Sequence, residues 1–239
     1  MPSKSHKTTK KLQVKKVAKK PKSSLVERHA LFWPVVIVVL AVWLAYRYLT
    51  GFPVWFDETI GKALFFGLPV WFYVVSTGFN SVVDLFHPKK LWSGLLLGLA
   101  IGGIFGFTVV IIRLLQGGVI VNPTPVFLAD NFSYEMLMGL FTSFWETLFF
   151  FGFIAGVILE KYPKLDLIWQ AVLVAFVFTL FHIPNTLLRF QGTTNIASMI
   201  FILALFALGQ FLVYYRRRNG YTLVISQLIW GMALLVYGW

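Results

Sequence analysis

From residue 30 onward the chain alternates long apolar stretches with short polar breaks. A helix needs about 20 apolar residues to cross a bilayer. Seven stretches approach that length: 30–49, 61–83, 91–115, 132–159, 165–187, 195–215 and 221–238. The second is the weakest, because Pro69, Gly78 and Asn80 interrupt it, and proline and glycine both weaken a helix interior. The pattern predicts an all-α, polytopic transmembrane helix bundle of about seven spans over residues 29–239. In the third span Gly94, Gly98, Gly102 and Gly106 recur once per turn. They lay a smooth strip along one face, where a neighbouring backbone can come close. The strip is read as packing within one chain, with self-association as the alternative. No repeat of 20–50 residues and no matched pair of broken helices points to an inverted-repeat transporter.

Composition agrees. Of the 239 residues, 58% are hydrophobic and 13% charged, against about 25% charged in soluble domains. The formal net charge of +12 is concentrated at the amino end. Residues 1–28 hold ten of the 21 Lys and Arg and one acid, Glu27, a formal +9. This segment lacks aromatic residues and any apolar stripe, so it reads as a disordered cytosolic arm. Its expected partner is anionic lipid, with no specific nucleic acid. With the arm inside and seven spans, 17 Lys and Arg fall on the cytosolic side. Four, Arg47, Lys62, Arg113 and Arg189, fall at outer span ends, and the loop 116–131 has none. The positive-inside rule then gives a multi-pass protein of the cell membrane, amino end cytosolic and carboxyl end external.

Within hydrocarbon an ionisable side chain costs about 2.5–3.5 kcal/mol on insertion scales. Two stand out: Glu146 in the middle of the fourth span and His182 late in the fifth. Counting about 1.5 Å per residue from Glu160 and Lys164 puts them about 21 and 27 Å up their helices, close enough to meet. Ser143, Gly139 and Glu135 share the Glu146 face and extend a polar track toward the outer surface. A buried carboxylate beside an imidazole suits general-base chemistry. It equally suits a hydrogen-bonded pair that fixes helix register, or a proton path. Gln210 and Gln227 read as interhelical hydrogen-bonding groups, and Pro184 as the end of the fifth helix. The Phe and Trp enrichment reads mostly as lipid-facing and interfacial. The absence of cysteine excludes thiolate catalysis and Cys-ligated metals. No phosphate loop, dinucleotide fingerprint or His-Glu-x-x-His occurs, so no cofactor is expected and no metal ligand is identified.

Glu146-Thr147-x-x-x-Phe151-Gly152, followed by Phe178-x-x-x-His182, resembles the first two motifs of the CPBP family. These are CAAX-prenyl-protease and bacteriocin-processing proteins, the glutamate intramembrane proteases. Gly209 to Arg216 and then Leu223 to Gly231 are similar to the family's third block, so the likeness covers about 61–238. The family's first motif is Glu-Glu-x-x-x-Arg, with Thr147 and Phe151 standing here for its second Glu and its Arg. Its third motif is His-x-x-x-Asn or Asp, with Gln227 and Gly231 in those places. The resemblance implies an intramembrane endopeptidase in which Glu146 activates water and His182 orients it. Gln227 and Gly231 would occupy oxyanion positions. Gln227 still offers an N–H, whereas losing an oxyanion donor, as at Gly231, costs about 10²–10³ in rate. The substrate implied is a peptide or membrane protein. The rival readings are a catalytically lapsed binding, scaffold or immunity-type protein and a small proton-coupled transporter.

Overall fold

A computed structural model describes residues 28–117, 131–189 and 196–236. The basic arm, apart from Arg28, and the loop 118–130 lie outside the described residues. Among those residues every regular element is helical. In chain order they are α1 (Phe32–Leu49), α2 (Val54–Thr77), the short α3 (Ser81–Leu85), α4 (Leu91–Gly117), α5 (Phe132–Lys161), α6 (Leu167–Arg189), α7 (Ile196–Arg217) and α8 (Gly220–Val236). Six stretches are long and apolar enough to cross a membrane, α3 and α4 counting as one. α8 is apolar but has only 17 residues. The protein is a multi-pass membrane bundle.

The second span departs from the sequence expectation of 61–83. It begins seven residues earlier and ends at Gly78, whose left-handed φ of 66° stops the helix. Hydropathy misplaced it because Asp57, Glu58 and Lys62 look like flanking charges, yet all three lie inside the helix and pair within the protein. Two wide π-type turns, Asp57–Gly61 and Ala63–Gly67, precede Pro69. There the missing N–H removes an ordinary helical bond, and wider turns are one way a helix accommodates it.

α5 is the hub. From Leu148 to Leu159 it has no charged or polar side chain, and Phe149, Phe150, Phe151, Phe153, Ile154 and Val157 are completely buried. A helix that is apolar all round is buried all round. Phe66 stacks on Phe149 at 4.9 Å between centroids, and Phe150 meets Phe178 at 4.9 Å and Phe181 at 5.4 Å. This corrects the expectation that the phenylalanines mostly face lipid. The largest sealed side chains of the core are mostly phenylalanines, while Trp71, Trp92 and Trp169 are exposed.

The α4 glycine strip packs on α8 within the chain. A Cβ at Gly94, Gly98 or Gly102 would come within 2.7 Å of Tyr221, Ile225 or Ile229, respectively. Gln210 on α7 donates to Ser226 Oγ on α8 at 2.8 Å, as its interhelical reading expects. Pro184 does not end α6, which continues to Arg189. Around it, Thr186 Oγ1 donates to the His182 carbonyl at 3.0 Å, the kind of side-chain support that lets proline persist in a spanning helix.

Candidate active site

The polar face of α5 lines a cavity of about 700 Å³. Its walls come from the amino ends of α2 and α5 and the carboxyl ends of α6 and α8, so it opens at the bundle end that holds Val54, Phe132 and Val236. Glu135, Gly139, Ser143 and Glu146, the predicted polar track, all line it. The track descends to Glu146, which is 6% exposed.

Four helices converge there. His182 Nε2 stands 3.5 Å from Glu146 Oε2. Its other nitrogen, Nδ1, is 2.7 Å from the Phe178 carbonyl. A carbonyl only accepts, so Nδ1 carries a hydrogen and the ring is held with Nε2 toward the carboxylate. Gln227 Nε2 donates to Glu146 Oε2 at 2.5 Å, and Thr147 Oγ1 donates to Gln227 Oε1 at 3.4 Å. The same rise counted from Arg218 puts Gln227 only about 13 Å up, below the 21 Å of Glu146 counted from Glu160. Those two origins are not level. Arg218 donates to the Tyr214 hydroxyl, which sits 3.0 Å from where a Cβ on Gly156 would be. Counted from Gly156 and Arg218, Glu146 and Gln227 are ten and nine residues up.

Lys62 corrects another expectation. It is not an outer flanking charge: it is 2% exposed. Its Nζ bridges Glu146 Oε1 at 2.6 Å and Glu58 Oε2 at 2.5 Å. Thr142 Oγ1 also donates to Glu58 Oε2, at 2.5 Å. A lone buried ammonium in hydrocarbon is prohibitive, and two carboxylates with hydrogen bonds compensate it. With a neutral imidazole the Glu58–Lys62–Glu146 cluster carries a formal −1. The sequence signal for it was the i,i+4 spacing of Glu58 and Lys62, the surface-helix ion-pair spacing, here turned inward. Asn185 was also missed. It lines the cavity, and its buried Oδ1 has no hydrogen-bond partner.

The remaining predicted positions divide. Gly231 lines the cavity, and a Cβ there would meet nothing within 4 Å. Thr147 touches the site only through Gln227. Phe151 does not reach it: it is sealed in the core 6.0 Å from Phe178. Among the described residues no group of three or more His, Asp or Glu is placed to hold a metal ion. No known protein family, curated protein or solved structure matches the chain.

Proposed function

We propose that this membrane bundle is an intramembrane endopeptidase of the CPBP type. The observation that carries the reading is the approach of His182 Nε2 to the Glu146 carboxylate at the floor of an internal cavity. Glu146 takes a proton from water as its oxygen bonds to the scissile carbonyl carbon. The C=O electron pair moves onto oxygen, where Lys62 Nζ and the Gln227 amide supply positive charge and an N–H. As the C–N bond breaks, the proton passes to the leaving nitrogen, with His182 orienting the exchange through Nε2. Lys62 provides the cation that the family pattern carries where this chain has Phe151. Asn185 Oδ1 offers an acceptor for a backbone N–H of the peptide. The positive-inside balance supports a cell-membrane setting with a cytosolic amino end and an external carboxyl end. The cavity then opens outward.

A second reading, a lapsed relative that binds a peptide or membrane partner, is favoured by two features. Both Glu146 oxygens already accept from Lys62 or Gln227, and position 231 supplies no side chain. Proton transport fits less well. Beyond His182 the polar track meets Phe178, Phe150 and Phe181, each at most 1% exposed.

Purified protein in detergent is expected to cleave a quenched transmembrane peptide. Glu146→Gln should drop the rate at least about 100-fold, the scale of a lost general base. Cleavage that persists in Glu146→Gln contradicts the enzyme reading. An inert parent that gains activity with Gln227→His plus Gly231→Asn identifies the lapsed form, since the open space at residue 231 accepts the new side chain.

A further inference from the structure

At the end of the bundle opposite the cavity mouth, α1 and α2 leave a groove of about 600 Å³ facing outward. Its walls are apolar, and Val38, Leu68, Trp71, Phe72 and Val75 on its rim are all exposed. Pro34 and Pro69 also line it. From Leu68 to Val75 it runs about 10 Å along the helix axis, roughly two-thirds of one leaflet's share of a hydrocarbon core about 30 Å thick. Leu68, Phe72 and Val75 lie on one helical face, and the next position on that face is Gly78.

The polar end of this face is occupied by Arg28. Its Nε donates to the Thr77 carbonyl at 2.8 Å and its Nη2 to the Gly78 carbonyl. A Cβ at Gly78 would lie 3.7 Å from Nη2, so the guanidinium sits over that glycine. These two bonds fix the group with N–H donors to spare, since a guanidinium has five. Beside it Lys161 donates to the His29 carbonyl at 2.9 Å and lies 5.7 Å from the Phe32 ring. A fixed guanidinium therefore stands at the polar end of the face that lines the apolar groove, with a second cation held at the start of α1. The nearest acid, Glu160, already accepts from Ser81 and faces His29.

The geometry points to a binding site for one anionic phospholipid, its acyl chain in the α1–α2 groove and its phosphate against Arg28. Charge complementarity selects the headgroup: guanidinium and phosphate match in shape as well as sign. The site is independent of the cavity chemistry. Native mass spectrometry of the full chain in detergent, with equal amounts of dioleoyl phosphatidylglycerol and dioleoyl phosphatidylcholine, tests it. The wild type should retain the anionic lipid at least about fivefold over the zwitterionic one. Arg28→Ala should bring that ratio near one. Val38→Trp, which fills the groove and breaks no hydrogen bond, should do the same and keeps the test valid if Arg28→Ala fails to fold. Equal retention by the wild type overturns the proposal. So does a preference that survives either substitution in a folded variant, which would place the selectivity in the lysines of residues 1–27.

Discussion

Individual charges in the membrane interior were half legible. Glu146 and His182 stood out because they are ionisable groups deep inside otherwise apolar spans, and the structure brings them to 3.5 Å. Lys62 and Glu58 were misread, because a charge near a span end looks the same whether it faces water or a buried partner. Their roles lead to distinct expectations. Lys62→Met strands two buried carboxylates and should cost about 3–5 kcal/mol of stability, the scale of a broken buried pair. Glu146→Gln leaves Lys62 paired with Glu58 and keeps a partner for Gln227, so its loss should be clearly smaller. Unfolding of both variants in the same detergent checks the order. If Lys62→Met is as stable as the parent, the buried ion triad is wrong.

Elements were legible where periodicity was simple. Seven apolar stretches gave seven apolar helices, and the glycine strip of α4 found its partner within the chain. Hydropathy could not show which apolar faces meet lipid and which meet protein, so the Phe and Trp enrichment as a whole read as mostly lipid-facing, whereas Phe149, Phe150, Phe151 and Phe153 of α5 form the core. Nor could it show the π-type stretch Thr147–Ala155, which starts one residue after Glu146. Such wide turns often accompany functional positions. Three substitutions test this packing. Gly98→Val would drive a branched side chain into Ile225, whose Cβ lies 2.7 Å from the first added atom. It should destabilise by about 1–3 kcal/mol, whereas Gly103→Val, with nothing within 4 Å of its Cβ, should be close to neutral. Phe150→Ala, which empties a sealed position touching Phe66, Phe178 and Phe181, should cost about 3–5 kcal/mol. Thermal unfolding by intrinsic fluorescence reads all three.

For the whole molecule, the central claim is that water reaches the buried carboxylate through a hollow that opens at one end only. The chain has no cysteine, so single introduced thiols report the hollow without background. Ser143 and Gly231 line the cavity, whereas Phe151, as tightly placed in the same helix, does not. In sealed vesicles of known orientation, Ser143→Cys and Gly231→Cys should react with a membrane-impermeant thiol reagent added on the carboxyl-terminal side. They should be protected when it is added on the amino-terminal side, and Phe151→Cys should stay unmodified from both. If Ser143→Cys and Gly231→Cys prove as inert as Phe151→Cys, no aqueous path leads to Glu146 and the account fails.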